Sequence, residues 1–252
     1  MISQRMLENL TVIWIICALI LFPVLLFVKQ PYGRHVRKGW GPTISNKTGW
    51  IVMEIPSLII FGYFLFDFQN YSVVVFLLFF MWFVHYFNRT LVFPFKIKTK
   101  GKKMPLIIMI FGILFNLINA TINGIALNQT LDYDIFSIND FVRLALGFFL
   151  FAIGMIINIS SDRILVGLRK MATNGYQIPQ KGLFKWVSCP NYLGEIIEWI
   201  GFALMAWNLA ALSFSIWTIV NLLPRALDHH KWYKQYFDDY PVERKAIIPY
   251  VL

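Results

Sequence analysis

Runs of apolar residues that are long enough to cross a lipid bilayer constrain this chain more than any other feature of its sequence. A spanning helix needs about 20 mostly apolar residues, with a usual range of about 17 to 25, because the hydrocarbon layer is roughly 30 Å thick. Five runs fall within that range: residues 10–27, 50–66, 72–93, 105–127 and 141–159. Since 58% of the 252 residues are hydrophobic and only 14% are charged, we predict one integral membrane domain over residues 1–252.

A sixth apolar stretch, residues 192–227, is too long for a single span. Its 36 residues would reach about 54 Å as one helix, which overshoots the bilayer. A hairpin that turns near Trp207 and Asn208 divides the stretch into spans at residues 192–207 and 209–227. The predicted fold class is therefore all-α, a bundle of seven transmembrane helices.

The basic residues test this count, because Lys and Arg accumulate in the cytoplasmic loops of membrane proteins. Of the 23 basic residues, 21 fall in the loops after the first, third and fifth spans and in the C-terminal tail. Seven spans place these four segments on one side, so we expect the N-terminus outside and the C-terminus in the cytosol. The host membrane, bacterial inner membrane or endoplasmic reticulum, stays open. The net charge of +10 follows from this topology and does not indicate a nucleic acid partner.

Two polar side chains lie at similar depths inside neighbouring spans. Glu54 is about 6 Å along its helix from Trp50, and Tyr86 is roughly 10 Å from the cytosolic end of the next span. Ionisable groups inside a span are costly, so they are functional candidates by default. We expect the carboxyl and the phenol to meet, either as a functional pair or as a hydrogen bond that satisfies two buried groups.

Three later spans carry polar residues at their cytosolic ends. Many of these residues are three or four positions apart, a spacing that places them on one face of a helix, so each set forms a polar stripe. The stripes consist of Asn158, Asp162 and Arg169, of Asn191, Glu195 and Glu198, and of Arg225, His229 and Tyr233. Several stripes at one depth indicate either a binding site or an interhelical ion-pair network. On the fourth span, three asparagines either line a cavity or join helices: Asn116, Asn119 and Asn123.

Several common chemistries are missing from the sequence. There is no Gly-x-Gly-x-x-Gly after a strand, no P-loop and no Gly-x-Ser-x-Gly elbow, so a nucleotide would need another kind of site. His229 and His230 alone do not make a zinc site, because adjacent helical residues diverge. Cys17 and Cys189 form neither a metal-ligand cluster nor a disulfide framework. We predict no metal.

Long ordered motifs in the second half of the chain are similar to those of a known family. They comprise residues 176–184, 187–188, 191–201, 239–241, 244–246 and 248–249. Shorter matches lie at residues 54–57, 85–87, 158–159, 161–162 and 225–226. From about Trp50 to the C-terminus, the chain resembles the steroid 5α-reductase family, membrane enzymes that reduce 3-oxo-Δ4 steroids with NADPH.

The resemblance implies a role for each polar group. Glu54 and Tyr86 would hold the C3 ketone while hydride reaches C5 and a proton from water reaches C4. NADPH would contact eight residues at the cytosolic ends of the helices: Asn158, Asp162, Arg169, Asn191, Glu195, Arg225, His229 and Tyr233. A steroid or other lipid enone would arrive from membrane lipid between early helices, and we expect a monomer.

Three alternatives remain open at this point. A related membrane reductase would act on an enoyl thioester or on a different sterol double bond, and a thioester would need a coenzyme A site. A membrane methyltransferase would bind S-adenosylmethionine in place of NADPH. A transporter would use Glu54 and Glu195 as a proton relay, although the chain shows no repeated halves.

Overall fold

The computed structural model describes residues 2–31, 36–37, 39–66, 72–97, 101–129, 137–171 and 176–252. In this part of the chain the fold is mainly helical, as predicted, with one sheet of two short strands. The elements are α1 (Gln4–Phe27), β1 (Thr43–Ser45), α2 (Asn46–Phe66), α3 (Val73–Phe87), a π-helical turn (Asn88–Val92), α4 (Phe93–Lys96), β2 (Lys103–Pro105), α5 (Leu106–Gln129), α6 (Ile138–Met171), a 3-10 turn (Gly182–Lys185), α7 (Pro190–Ala206) and α8 (Leu209–Tyr236).

Seven of these helices are long, and each overlaps one predicted span. Among the described residues, five helical stretches are long and apolar enough to cross a membrane: α1, α3 with its continuation to Lys96, α5, the first 32 residues of α6, and α8. Helices α2 and α7 lie at predicted positions, but they are not among the helices that are both long enough and apolar enough to cross a membrane. The helical class is confirmed, whereas seven membrane crossings remain a prediction.

Three helices extend furthest beyond the predicted spans. Helix α1 begins at Gln4 instead of residue 10, α6 continues from residue 159 to Met171, and α8 continues from residue 227 to Tyr236. Hydropathy marks only the apolar stretch, whereas backbone hydrogen bonds continue a helix into polar residues. Asp162 and Arg169 lie in this extension of α6, so they belong to the same continuous helix as its apolar part.

The predicted hairpin at Trp207 and Asn208 is confirmed. Helix α7 ends at Ala206, and Trp207 adopts a left-handed conformation with φ 49°. The Asn208 side chain then accepts a hydrogen bond from the Ala211 amide at 2.9 Å, which caps the first turn of α8. The turn therefore reverses the chain within two residues.

Helices α6 and α7 pack closely where glycines replace side chains. A Cβ added at Gly154 of α6 would overlap the backbone nitrogen of Glu198, and a Cβ at Gly194 of α7 would lie 2.5 Å from the nitrogen of Asn158. Glycine at such positions lets two helix backbones approach each other. This contact places the polar ends of α6 and α7 side by side.

Four segments of the chain meet at one end of the bundle, which we call the mouth end. Strands β1 and β2, which directly precede α2 and α5, pair antiparallel with Ile44 opposite Met104. Arg225 of α8 donates to Gln30, just after α1, at 2.7 Å. The α6–α7 connection joins the C-terminal tail through a bridge between Val187 and Lys245.

The opposite end of the bundle holds the other connections. The Gln129 side chain at the end of α5 donates to the Ile2 carbonyl at 2.7 Å. Arg143 near the start of α6 donates to the Met205 carbonyl at the end of α7 at 3.1 Å. The grouping at the mouth end is the one that the basic residues predicted, although four of them lie outside the described residues: Arg34, Lys38, Lys98 and Lys100.

Candidate active site

A cavity of about 1010 Å³ reaches from the mouth end into the bundle, and all seven long helices line it. One part of its wall is aromatic and includes Trp14, Phe115, Trp199, Phe214 and Trp217. The other part is polar. It contains nine of the ten predicted site residues: Glu54, Tyr86, Asp162, Arg169, Asn191, Glu195, Arg225, His229 and Tyr233.

Glu54 and Tyr86 meet through a third residue, Asn116. The Asn116 Nδ2 atom donates to Glu54 Oε2 at 3.4 Å and to the Met53 carbonyl at 2.6 Å. The Tyr86 hydroxyl donates to Asn116 Oδ1 at 3.4 Å, and Ser57 donates to the same oxygen at 2.9 Å. The expected carboxyl–phenol pair is therefore a group of three side chains, from α2, α3 and α5, and we name it the carbonyl-binding group for the role that we propose for it.

The three asparagines of α5 have different roles. Asn116 lines the cavity and also joins α5 to α2 and α3. Asn123 donates to the Asn119 carbonyl at 3.0 Å, and both residues are buried outside the described cavity lining. The sequence could not tell which of the three asparagines lines the cavity, because their spacing places all of them on one face of the helix.

Tyr86 is fixed by an aromatic wall. Its ring lies 5.0 Å from Trp82 and 6.0 Å from Trp199. The Trp82 indole in turn donates to the Ser57 carbonyl of α2 at 3.1 Å. Since Tyr86 is 3% exposed, these contacts leave its ring little freedom to change rotamer.

Arg89 is buried at the centre of the polar wall. Its guanidinium lies 3.4 Å from the Asp162 carboxylate and 3.7 Å from that of Glu195. The rings of Trp50 and Phe93 lie 5.0 and 5.1 Å from the same guanidinium. In the sequence, Arg89 stood out only as one of the basic residues counted in a loop.

The spacing between Tyr86 and Arg89 in the sequence could have indicated that Arg89 lies in the same cavity. Arg89 follows Tyr86 by three residues, a spacing that places both side chains on one helical face. It also lies in the π-helical turn Asn88–Val92, and turns of this kind are frequent at functional sites. The turn itself is not visible in the sequence pattern.

The polar stripes of α6 and α7 join across the glycine contact. Asn191 Nδ2 donates to Asp162 Oδ1 at 3.1 Å, and Asn158 Nδ2 donates to Glu195 Oε2 at 3.3 Å. Asn158 also donates to the Asn191 carbonyl at 3.0 Å. However, Asn158 is 2% exposed and is not among the described residues that line the cavity. It supports Asn191 and Glu195 from behind, so the predicted direct contact with a cofactor does not fit its position.

Glu198, the third member of the α7 stripe, faces another direction. Its Oε1 lies 2.8 Å from His85 Nδ1, and the residue has no exposed surface. Three positions along a helix turn the side chain by about 300°, so Glu198 lies about 60° around α7 from Glu195, on the side that contacts His85. In the sequence, His85 stood out only as part of the short motif at residues 85–87, whereas in the structure it lines the cavity.

The stripe of α8 completes the mouth. The guanidinium of Arg225 donates to Gln30 Oε1 and, at 3.3 Å, to Asn221 Oδ1. His229 lies 3.2 Å from the hydroxyl of Tyr192 on α7. Tyr233 stacks on Tyr240 of the tail with ring centroids 5.3 Å apart. Each of the three predicted residues is thus held by a different segment.

The C-terminal tail is fastened beneath the mouth by Ser188. The Ser188 hydroxyl lies 2.6 Å from His230 Nδ1 and 2.7 Å from the Tyr240 hydroxyl, and it donates to the Lys245 carbonyl at 3.1 Å. Burial raises the pKa of the Tyr240 phenol, so this hydroxyl keeps its proton at neutral pH. Tyr240, the central residue of the motif at 239–241, therefore helps to position the tail.

Charge divides the polar wall into two parts. Two carboxylates, Asp162 and Glu195, surround the single guanidinium of Arg89, so this inner part offers acceptors for hydroxyl and amide groups. Arg169 and Arg225 line the outer part, where their guanidinium groups suit phosphates. An elongated ligand with donors at one end and phosphates at the other fits this order.

The chain is similar in sequence to proteins of one known family. The family profile described as 3-oxo-5-alpha-steroid 4-dehydrogenase matches residues 102–252. The steroid 5-alpha-reductase DET2 of Arabidopsis thaliana is 43% identical over 237 residues, which cover 90% of each chain. The 3-oxo-5-alpha-steroid 4-dehydrogenase 1 of Homo sapiens is 38% identical over 229 residues, or 87% of this chain and 85% of the human protein. The chain therefore belongs to the steroid 5-alpha-reductase family.

Proposed function

We propose that this protein reduces the Δ4 double bond of a 3-oxo-Δ4 steroid to give the 5α-steroid, with NADPH as the reductant. The observation that carries the proposal is one cavity that contains both the carbonyl-binding group and the polar wall of α6, α7 and α8. The names of the relatives support the substrate class and the reaction.

The donors and acceptors of the polar wall fit a dinucleotide. Asp162 and Glu195 would accept from its hydroxyl and amide groups, Asn191 would both accept and donate, and Arg169 and Arg225 would hold its phosphates. His229 and Tyr233 offer flat rings beside these charges. When bound, NADPH would supply a hydride.

The residues of the chain then act on the ketone. Reduction of a conjugated enone builds negative charge on the ketone oxygen, so donors must already point at it. Tyr86 and the protonated carboxyl of Glu54 would donate to this oxygen, and preorganised donors of this kind are worth about 2.7 to 4 kcal/mol each. Their present contacts with Asn116 are both 3.4 Å long. Hydrogen bonds of this length are weak and are easily exchanged for the substrate.

A steroid would reach this group from lipid through a gap between α1 and α5. Val24 of α1 and Phe111, Leu114 and Ile118 of α5 line the cavity, yet they are also 48, 58, 49 and 40% exposed. Apolar side chains that face both a cavity and the outside suit a lateral opening toward lipid. NADPH would arrive at the mouth end, which we propose to be cytosolic in a monomer with seven spans and the N-terminus outside.

Oxidation of NADPH by the purified protein in detergent tests this function. The protein is incubated with a 3-oxo-Δ4 steroid, with a trans-2-enoyl thioester, or without substrate, and products are identified by mass spectrometry. We expect oxidation that depends on the steroid and yields the saturated ketone. Oxidation with the thioester alone would favour the related reductase, and stabilisation by S-adenosylmethionine but not by NADPH would favour a methyltransferase.

A further inference from the structure

His85 and Glu198 form a buried pair beside the carbonyl-binding group. His85 Nδ1 lies 2.8 Å from Glu198 Oε1, and the two residues are 5% and 0% exposed. His85 directly precedes Tyr86 and lines the cavity, whereas Glu198 is not among the described residues of the lining. In the described part of the chain, Glu198 Oε2 has no hydrogen-bond partner. Glu198 therefore influences the cavity through His85.

This contact fixes the orientation of the imidazole. The two ring nitrogens lie on different edges, so the bond from Nδ1 to Glu198 leaves the edge with Nε2 for the cavity. Trp199 and Tyr86 flank the ring, with centroids 4.7 and 5.1 Å from that of His85. A buried carboxylate needs a positive partner, and the imidazole is placed to be that partner.

The other ionisable groups near Tyr86 are less suited to donate a proton to the substrate. Glu54 and Tyr86 hold the ketone oxygen in the proposed reaction. Arg89 does not release a proton at physiological pH, and its guanidinium holds the carboxylates of Asp162 and Glu195 in ion pairs at 3.4 and 3.7 Å. Among the described residues that line the cavity, His85 is therefore the acid best placed beside the carbonyl-binding group.

We infer that His85 protonates C4 of the reduced substrate and that Glu198 is its positioning residue, an assignment that rests on the proposed reduction. Hydride addition at C5 leaves an enolate whose oxygen is held by Glu54 and Tyr86. The Nε2–H bond of His85 then breaks, a C4–H bond forms with the electron pair of the enolate double bond, and the C3 carbonyl is restored. The neutral imidazole regains a proton from water. This replaces the direct transfer from water that the sequence led us to expect.

The reverse of this step needs no cofactor, so it can be tested alone. A saturated 5α-reduced 3-oxo steroid is incubated with the protein in D₂O, and deuterium at C4 is measured by NMR and mass spectrometry. We expect exchange well above that in buffer. His85→Gln should slow it by about 100-fold, the lower range for a positioned general acid or base, without changing the Kd of the steroid.

Two further variants control for folding and position. Glu198→Gln keeps a hydrogen bond to the imidazole but removes the charge, and we expect exchange to slow by at least about tenfold with an unchanged steroid Kd. His230→Gln makes the same substitution as His85→Gln at a histidine that is bonded to Ser188 and is not among the described cavity-lining residues. Its exchange rate should match that of the wild type.

The outcomes separate this inference from the proposed function. Wild-type exchange in a His85→Gln variant that still binds steroid would overturn the assignment and leave water as the proton source. Absence of exchange in wild-type protein that reduces the enone would also overturn it. Exchange that depends on His85 in a protein that does not reduce the enone would support the acid–base role and contradict the reduction.

Discussion

At the scale of single residues, the important feature of Tyr86 and Glu54 is that both place a polar group in the wall of the cavity. The aromatic contacts of Tyr86 and the bonds from Asn116 hold a hydroxyl and a carboxyl at one wall of an otherwise aromatic part of the cavity. Polar groups in such surroundings are costly unless they have partners. A substrate ketone would provide one partner for both.

Substitution of either group should slow the reaction more than it weakens substrate binding. We expect Tyr86→Phe and Glu54→Gln each to lower kcat at least tenfold, the equivalent of about 1.4 kcal/mol, because Phe lacks the hydroxyl donor and the amide of Gln is a weaker donor to the developing oxyanion than a protonated carboxyl. Tyr63→Phe is the matched control, since Tyr63 lies on α2 and is 66% exposed. Near wild-type turnover in both site variants, with normal steroid binding, would remove them from the mechanism.

The sequence predicted the residues that line the cavity well where they share a helical face, and poorly where a contact between helices decides the position of a side chain. Asp162, Asn191 and Glu195 were recognisable from their spacing alone. Asn116 and His85 depend on which helix faces them, and no periodicity within one helix contains that information. The burial of Asn158 behind the wall has the same origin, because it follows from the close approach of α7.

At the scale of elements, the glycine contact between α6 and α7 sets the geometry of the proposed cofactor site. Gly154 and Gly194 bring the backbones together one to two turns from Asp162 and Asn191. The hydrogen bond from Asn158 to Glu195 at 3.3 Å and that from Asn191 to Asp162 at 3.1 Å both cross this contact. A small separation of the helices would therefore break both bonds.

A methyl group at this contact tests the argument. We expect Gly154→Ala to destabilise the protein by about 1 to 3 kcal/mol, as overpacking does, and to weaken NADPH binding. Gly167→Ala is the control in the same helix, because no heavy atom of the surroundings lies within 4 Å of the added carbon. Thermal unfolding and NADPH titration measure both effects. Equal behaviour of the two variants would contradict the role of the contact.

At the scale of the whole molecule, the cavity connects two kinds of surroundings. Its polar wall lies at the mouth end, whereas Val24, Phe111 and Leu114 border it toward the apolar outer surface of the bundle. A steroid dissolves in lipid and a dinucleotide dissolves in water. The architecture therefore suits an enzyme that takes its two ligands from different phases.

A larger side chain in the proposed gap between α1 and α5 should obstruct the proposed route of the steroid from lipid. We expect Leu114→Trp to lower kcat/KM for a steroid supplied in liposomes at least tenfold, about 1.4 kcal/mol, with an unchanged Kd for NADPH. Leu117→Trp is the control, because Leu117 is 37% exposed on the same helix and is not among the described cavity-lining residues. The same loss in both variants, or in neither, would argue against this route.

The distribution of basic residues predicted which loops share an end of the molecule, and the contacts of Arg225 with Gln30 and of Val187 with Lys245 agree with it. The hydropathy pattern predicted the helical class and the turn at Trp207. It did not predict the length of α6, because a helix continues past its apolar stretch. The volume and shape of the cavity depend on the packing of all seven long helices, which no local pattern encodes.

The path of hydride is the most direct test of the central claim that one cavity holds a ketone at Glu54 and Tyr86 next to a reduced nicotinamide. NADPH deuterated at its transferable position is used with a 3-oxo-Δ4 steroid, and the product is analysed by NMR. The account predicts a 5α-ketone with deuterium at C5, formed at least tenfold more slowly by Tyr86→Phe. A saturated product without deuterium at C5, or wild-type transfer in a Glu54→Gln and Tyr86→Phe double variant, would contradict it.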